Sequence, residues 1–257
     1  MKEILSTKNA AIKEFKKLHK KKYRDERQHY IIEGFHLLEE AVKAQVQVEW
    51  ILYNQRGKIE WELWLNAQPE EQLIFVSDDV LESLSELPTP QGILAIVQMP
   101  NNGKNIDFSG RWLLLDNVQD PGNVGTMIRT ADAAGLSGVI LGEGCADIYN
   151  TKVLRAMQGS NYHLPIIRQP LIEVIPKFKQ AHIPVYGTEL NPEAVAYSEI
   201  TNVKEYALIL GNEGQGVTKE LLEIANQNIY IPISGDAESL NVAIAAGIIM
   251  FHFELQR

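Results

Sequence analysis

The sequence predicts an α/β protein: a C-terminal, mainly parallel sheet with helices on both faces, preceded by a small α/β domain. Three observations support this fold class. Beyond residue 111, apolar strand-like runs alternate with helix-like stretches, a pattern typical of parallel sheets. Residues 1–100 contain shorter strands and amphipathic helices of their own. Between them, residues 101–110 (NNGKNIDFSG) are polar, glycine-bearing and aperiodic, which indicates a linker.

The N-terminal elements follow from apolar periodicity. Ile12, Phe15 and Leu18 recur at three-residue steps between lysines and predict a helix over 8–22. The other predicted elements are a helix over 33–46, strands at 50–54, 73–77 and 92–98, and a helix at 61–67. The sequence therefore predicts a first domain at 1–100, a linker at 101–110 and a second domain at 111–257.

The C-terminal domain is predicted to alternate regularly. Strands are expected at 112–118, 138–143, 164–168, 184–190, 206–212 and 228–233. Helices are expected after residue 120 and at 152–158, 217–226 and 239–255. In sheets of this kind, ligands bind at the carboxyl ends of the strands.

Composition and charge narrow the class of protein. Of 257 residues, 45% are apolar and 22% charged, and no apolar run reaches the roughly 20 residues that cross a bilayer. The N-terminus has no apolar signal core, and the one cysteine, Cys145, cannot form an internal disulfide. A reducing cytoplasm is the expected location. No Cys or His cluster has metal-ligand spacing, and His182 and His252 are expected to be core or surface residues.

The positive charge is concentrated near the N-terminus. The whole chain carries a net charge of −9, yet residues 8–29 hold nine Lys/Arg and three acidic residues. This distribution suits a protein that touches a polyanion at one place, although a solvated helix face explains it equally well.

Three glycine-bearing segments lie at the ends of predicted strands or the starts of helices. They are DPGNVGTMIRTADAAG (120–135), LILGNEGQGV (208–217) and IPISGDAESLNVAIAAG (231–247). Their shared placement predicts that three loops converge on one site. No GxxxxGK[ST] motif is present, and no G-x-G-x-x-G follows the first strand of the second domain, so a P-loop or dinucleotide fold has no direct support.

Each segment has a structural reading beside the functional one. Asn123 and Arg129 suit an anion clamp at a helix start, or else a helix N-cap and a surface residue. The glycines after residue 210 open the backbone to a flat ligand such as adenine, or simply form a tight turn. Ser239 is a natural N-cap for the last helix, whereas Asn241 needs a hydrogen-bond partner.

Taken together, the three segments resemble motifs one, two and three of the SpoU (TrmH-like) family of RNA ribose 2′-O-methyltransferases. The matching residues are Asn123-Val124-Gly125 with Arg129, Leu210-Gly211-Asn212-Glu213-Gly214, and Ile231-Pro232 with Ser239-Leu240-Asn241. The N-terminal half resembles the L30e/L7Ae-like substrate-binding domain of that family. That likeness rests on Tyr23-Arg24, Glu33-Gly34, His36–Ala41 and Thr89–Ile93. Relatives often have R-A-S where this chain has Arg155-Ala156-Met157, so this loop departs from the family pattern.

The resemblance implies a fold, a cofactor and a site. It implies a deep C-terminal trefoil knot, S-adenosylmethionine as cofactor, and a homodimer formed through the C-terminal domain with each active site completed near the partner. The implied active-site residues are Asn123, Arg129, Glu213, Ser239 and Asn241. The implied cofactor-binding residues are Thr188, Gly211, Asn212, Gly214, Ile231 and Leu240. RNA is expected to dock on Lys16, Lys17, Lys20, Lys21, Lys22, Arg24 and Arg27.

The expected function is therefore S-adenosylmethionine-dependent 2′-O-methylation of structured RNA, with ribosomal RNA favoured. Two alternatives stay open at this point: methylation of tRNA, and a non-catalytic RNA-binding protein on a degenerate methyltransferase fold. The intact set of Asn123, Arg129, Glu213 and Asn241 argues against the second alternative.

Overall fold

The structure, a computed structural model, describes residues 2–100 and 107–256 and divides into two compact units. One unit comprises Met1–Asn101 with Tyr149–Tyr162, and the other comprises Asn102–Ile148 with His163–Arg257. Residues 101–106 of the predicted linker lie outside the described part of the chain. The boundaries predicted from the sequence at 100 and 111 stay a prediction.

The first unit is built on a mixed five-stranded sheet. Its strands are β1 (Lys2–Ile4), β2 (His29–Glu33), β3 (Val48–Tyr53), β4 (Leu73–Val76) and β5 (Ile93–Gln98). They lie in the order β1-β4-β3-β5-β2, with β5 antiparallel to both β2 and β3. Its helices are α1 (Ala10–Lys17), α2 (Lys21–Arg27), α3 (Phe35–Lys43), α4 (Gln55–Glu60), α5 (Glu62–Asn66) and α6 (Asp78–Leu84), joined by α8 (Thr151–Met157).

The predicted helix over 8–22 is interrupted in the structure. Helix α1 ends at Lys17 and α2 begins at Lys21. The guanidinium of Arg24 donates to the carbonyl oxygens of Leu18 and His19, at 2.8 Å each, which stabilises the chain between the two helices. This local hydrogen bonding competes with a continuous helix and is not visible in apolar periodicity.

The segment Tyr149–Tyr162 joins the first unit because aromatic side chains anchor it there. The rings of Tyr149 and Tyr30 have centroids 4.6 Å apart, and the hydroxyl oxygens of Tyr162 and Tyr30 are 3.1 Å apart. Tyr30 lies on β2 and is fully buried. This segment lies between two stretches of the second unit in the sequence but contributes core to the first unit, which the strand–helix alternation did not predict.

The second unit is a seven-stranded sheet in which every pairing is parallel. Its strands are β6 (Arg111–Leu115), β7 (Gly138–Leu141), β8 (Ile166–Arg168), β9 (Val185–Thr188), β10 (Val195–Ala196), β11 (Tyr206–Leu210) and β12 (Gln227–Tyr230), in the order β10-β12-β9-β11-β6-β7-β8. Its helices are α7 (Pro121–Ala133), α9 (Leu171–Gln180), α10 (Lys219–Ile224) and α11 (Val242–Glu254). The sequence did not predict β1, β2, α4, α6, α9 or β10, and it predicted only the first two residues of α2.

Helices cover both faces of the parallel sheet, as predicted. On one face, Leu114 and Ile209 pack in a core with Phe178 of α9 and Leu222 of α10. Alternate residues of the strands point to the other face. There, Phe253 of α11 packs against Tyr206, and α11 packs against α7. The trefoil knot stays a prediction.

Candidate active site

The first segment opens a helix at the carboxyl end of β6. Asp120 is the N-cap of α7, and its Oδ1 accepts a hydrogen bond from the backbone N–H of Asn123 at 2.8 Å. Pro121, which needs no hydrogen-bond partner for its nitrogen, takes the first helical position. Asn123 is therefore the third helical residue and not the N-cap, so its side chain is free to act elsewhere.

The second segment is a closed bend at the end of β11, which we call the 211–217 loop. Asn212 and Gly216 exchange two backbone hydrogen bonds of 2.9 Å. The Asn212 side chain also accepts from the N–H groups of Gly214 and Gln215, at 3.0 Å each. A Cβ on Gly211 would lie 2.1 Å from the Gly216 carbonyl carbon, so only glycine fits there.

The third segment contains the N-cap of α11, and the cap is Asn241 rather than the predicted Ser239. Asn241 Oδ1 accepts from the backbone N–H groups of Ala243 and Ile244, at 2.9 and 3.2 Å. Ser239 is exposed and lies two residues before the cap. The sequence argument was wrong because serine and asparagine are both good caps and only the geometry decides between them.

Hydrogen bonds between side chains join the three segments. Asn241 Nδ2 donates to Asn123 Oδ1 at 3.0 Å, and Asn123 Nδ2 donates to Glu213 Oε1 at 3.0 Å. The Glu213 carboxylate also accepts from the backbone N–H groups of Asp120 at 3.1 Å and Gln119 at 3.3 Å. The convergence predicted for Asn123, Glu213 and Asn241 is therefore present in the structure.

These donors set the charge state of Glu213. Partial burial opposes ionisation of its carboxyl group, but hydrogen bonds from the Asn123 side chain and from backbone N–H groups outweigh this effect and lower the pKa. Glu213 is consequently an anion at neutral pH that holds the start of α7 against the 211–217 loop. An anionic acceptor strengthens each of these hydrogen bonds.

A cleft of about 1050 Å³ lies beside this network. Its lining includes all six residues predicted to bind a cofactor, which are Thr188, Gly211, Asn212, Gly214, Ile231 and Leu240. Glu213, Ser239 and Asn241 line it as well, and Leu210, Val242 and Ile249 contribute apolar surface. Such a mixture of apolar walls and a few polar groups is typical of small-molecule sites.

Arg129 stands apart from the cleft within one chain. It is an exposed residue of α7, six positions beyond Asn123, which is about 9 Å along the helix axis. It is not among the residues that line the cleft. Within the described residues, it makes no hydrogen bond or ion pair. A single chain thus leaves the guanidinium available to a ligand or to another molecule.

Sequence reasoning missed Asp116, Asn117 and Thr218. Asp116 is a buried carboxylate at the end of β6, and its Oδ2 accepts from both the N–H and the hydroxyl of Thr218, at 2.7 and 2.6 Å. The backbone carbonyl of Asn117 accepts from Asn212 Nδ2 at 2.9 Å. The available signal was a polar pair, Asp116-Asn117, directly after an apolar strand.

The basic residues of the first unit differ in their availability. Arg24 is 4% exposed and bound to backbone carbonyls, so its predicted role in docking RNA is withdrawn. Lys21 pairs with Asp25 at 2.5 Å, Lys17 pairs with Glu14 at 2.8 Å, and Arg27 also pairs with Glu14. Among the described residues, Lys16, Lys20 and Lys22 have no ion-pair partner, and the last two are exposed.

One cluster in the first unit has the composition of a metal site. His36, Glu39 and Glu40 place ligand-type atoms within 4.8 Å of one another. The Lys43 ammonium already lies 3.2 Å from Glu39 and 3.0 Å from Glu40, which offsets part of the negative charge that would attract a cation. In the part of the chain that is described, no helix is long and apolar enough to span a membrane.

Comparison with protein families identifies both halves of the chain. Residues 110–251 match the model described as the SpoU rRNA Methylase family, and residues 9–95 match an MRM3-like substrate binding domain. The first match covers more than half of the chain and includes every residue of the three segments. The family predicted from the sequence is therefore confirmed.

Individual relatives share the whole architecture. A Bacillus subtilis (strain 168) protein named 23S rRNA (guanosine(2553)-2'-O)-methyltransferase RlmP is 45% identical, over 98% of this chain and 99% of its own. An AdoMet-bound rRNA methyltransferase from Sinorhizobium meliloti has a TM-score of 0.86 at 31% identity, covering 99% of this chain and 97% of its own. The SpoU methyltransferase AviRb from Streptomyces viridochromogenes, in complex with AdoMet, has a TM-score of 0.87 at 27% identity, covering 97% and 98%.

Proposed function

Because the chain belongs to the SpoU rRNA methylase family, we propose that it transfers a methyl group from S-adenosylmethionine to a ribose 2′-hydroxyl in ribosomal RNA. The observation that supports this most directly is the bonded series Asn241–Asn123–Glu213, which unites the three family motifs beside the cleft. A degenerate, non-catalytic relative has no reason to retain it. We propose that the protein acts in the cytoplasm.

The cleft fits the proposed cofactor. Its volume is ample for a ligand of that size, and the absence of a side chain at Gly211 leaves backbone groups open to a flat ring such as adenine. Gly211, Ile231 and Leu240 are proposed to contact the adenine, with Thr188, Asn212 and Gly214 completing the walls. When bound, S-adenosylmethionine supplies an electrophilic methyl group on a positively charged sulfur.

The chain itself has to orient the ribose and stabilise charge on its oxygen. A 2′-hydroxyl must lose its proton as it is methylated, and Arg129 is a poor proton acceptor because a guanidinium stays charged at neutral pH. We assign Arg129 to the phosphate next to the target ribose and to stabilisation of negative charge on the 2′-oxygen. Asn123 and Asn241 are proposed to position the ribose, and Ser239 to shape the loop over the cleft. The proton leaves through water or a neighbouring group.

Ribosomal RNA is preferred to tRNA as the substrate. The Bacillus subtilis relative acts, by its name, on a guanosine of 23S rRNA, and its alignment spans both units of this chain. Two solved relatives of about 22–31% identity whose names concern tRNA cover only 57% of this chain. The corresponding guanosine of 23S rRNA is therefore the first position to examine.

Mapping 2′-O-methyl groups in total RNA from cells with and without this protein tests the function. One ribosomal position is expected to lose its methyl group when the protein is absent and to regain it when purified protein and cofactor are added. Loss of a tRNA position would support the tRNA alternative. An unchanged map, together with no methyl transfer to RNA from labelled cofactor, would support the non-catalytic alternative.

A homodimer through the C-terminal helix is also proposed. Helix α11 is apolar from Val242 to Phe251, yet Ile244 is 57% exposed and Phe251 46% exposed, with Leu255 beyond them at 84%. Their spacing of seven and four residues places them on one face of the helix. We propose that a second copy of this chain buries this apolar face. The resulting dimer also contains a second Arg129.

Replacing Phe251 by Asp is expected to convert the dimer to a monomer, because the added charge would have to be buried in an apolar interface. The measurement is molar mass in solution by light scattering. Phe251→Leu, which keeps the apolar face, serves as the control and is expected to remain a dimer. A wild-type chain that is monomeric at micromolar concentration would contradict the proposal.

RNA docking is proposed to use the unpaired lysines of the first unit. The double variant Lys20→Ala/Lys22→Ala is expected to weaken RNA binding and to reduce the slope of log K against log salt concentration by about 1.5, since each lost phosphate contact removes about 0.7–0.9. The measurement is a salt titration of RNA affinity. Lys43→Ala, whose ammonium pairs with Glu39 and Glu40, is the control. Equal slopes in all three proteins would place the docking surface elsewhere.

A further inference from the structure

The 211–217 loop is rigid within itself, so its position depends on where it is attached. The paired backbone hydrogen bonds between Asn212 and Gly216 close the bend, and the tight approach of Gly211 to Gly216 leaves it little freedom. These contacts tie the residues of the loop together as one unit. The same loop carries Glu213 toward α7 and forms part of the cleft wall.

Both ends of the loop are fastened by one dipeptide, Asp116-Asn117. At the end of β11, Leu210 accepts a backbone hydrogen bond from Asp116 at 2.8 Å, and Asn212 Nδ2 donates to the Asn117 carbonyl at 2.9 Å. At the far end, Thr218 gives both of its donors to Asp116 Oδ2. Asn117 has a left-handed backbone, with φ of 54°. Asparagine tolerates this conformation better than most residues.

The hydroxyl of Thr218 does not cap the helix that this residue precedes. Thr218 is the N-cap of α10, where a threonine side chain ordinarily accepts a hydrogen bond from its own helix. Here the side chain makes no capping bond and instead donates to Asp116, 102 positions earlier. The carboxylate is buried, so this charge-assisted pair is shielded from water.

We infer that Asp116 and Thr218 are positioning residues that hold the 211–217 loop in its place in the wall of the cofactor cleft. This inference rests on the proposed function, since it assigns the loop to cofactor binding. Neither side chain is among the residues that line the cleft, so they act through the loop and not by touching the cofactor. Their removal should therefore weaken cofactor affinity while leaving RNA affinity alone.

The test compares Thr218→Val, which keeps the shape but removes the hydroxyl, with Thr218→Ser, which keeps the donor. Thr218→Val is expected to raise the Kd for S-adenosylmethionine about ten-fold, the effect of losing a hydrogen bond to a charged group. Thr218→Ser is expected to bind within about two-fold of the parent, and RNA affinity is expected to be unchanged in both. Thr130→Val is the control, because that hydroxyl donates only to the Thr126 carbonyl of its own helix.

A coupling measurement separates positioning from general stability. Asp116→Ala and Thr218→Val are expected to be strongly non-additive in cofactor Kd, since each removes the hydrogen bond between the Thr218 hydroxyl and the Asp116 carboxylate. If Asp116→Ala fails to fold, the valine–serine comparison decides alone. Thr218→Val that lowers the melting temperature but binds cofactor like the parent would overturn the inference. If the parent chain itself binds no S-adenosylmethionine, the proposed function fails first.

Discussion

Arg129→Ala is expected to lower the single-turnover rate of methyl transfer by about 100- to 1,000-fold, the usual effect of removing one preorganised donor from a developing oxyanion. Affinity for S-adenosylmethionine is expected to stay within about two-fold of the parent, because Arg129 does not line the cleft of its own chain. The measurement is rapid-quench methyl transfer to saturating RNA, with cofactor affinity by calorimetry.

Two further variants make the Arg129 result interpretable. Lys204→Ala removes an exposed cation elsewhere in the same unit and is expected to have no effect. Arg129→Lys retains the charge but not the planar fork, so it is expected to recover only part of the rate. A normal single-turnover rate in Arg129→Ala would remove this residue from the active site.

Gly211→Ala is expected to abolish measurable cofactor binding, a loss of at least about 100-fold. The added methyl would meet the Gly216 carbonyl carbon at 2.1 Å and the Val217 nitrogen at 2.2 Å, so the loop must open to admit it. Because these neighbours are backbone atoms, no side chain can move aside, and overpacking of this kind is costly. The measurement is calorimetric titration with S-adenosylmethionine.

Gly235→Ala is the matched control for Gly211→Ala. A Cβ at Gly235 would have no heavy atom within 4 Å, and this glycine is not among the residues that line the cleft. The variant is expected to fold and to retain cofactor affinity to within about five-fold. Equal affinity in Gly211→Ala and Gly235→Ala would show that the bend tolerates a side chain, and the steric argument would be wrong.

Much of the second unit could be predicted from its sequence because its pattern is local. Apolar runs such as 206–212 predict buried parallel strands. The three motifs predicted that Asn123, Glu213 and Asn241 lie together, as they do in the structure. The edge strand β10 was missed because its two residues are too few to show a period. Helix α9 was missed although Leu171, Val174, Ile175 and Phe178 have helical spacing; Pro176 lies inside it, where proline usually breaks a helix. Which residue caps α11 was also beyond the sequence, because Ser239 and Asn241 have similar capping ability.

The hydrogen-bond partners of individual side chains could not be predicted from the sequence. The link between Asp116 and Thr218 spans 102 positions, and nothing in either local sequence specifies the other. Arg24 looked like a docking residue by composition, whereas hydrogen bonds to the nearby carbonyls of Leu18 and His19 hold its side chain in a buried position. Residue type indicates what a side chain can do, but burial and partners decide what it does.

The contribution of residues 149–162 to the first unit bears on how this module can be separated or exchanged. The polypeptide passes between the two units three times, near 101, 148 and 162, and not once. A fragment that ends at residue 100 would leave Tyr30 without Tyr149 and Tyr162, exposing aromatic surface that is otherwise covered. Transplanting the first unit onto another methylase thus requires two separate stretches of sequence, inserted at two places.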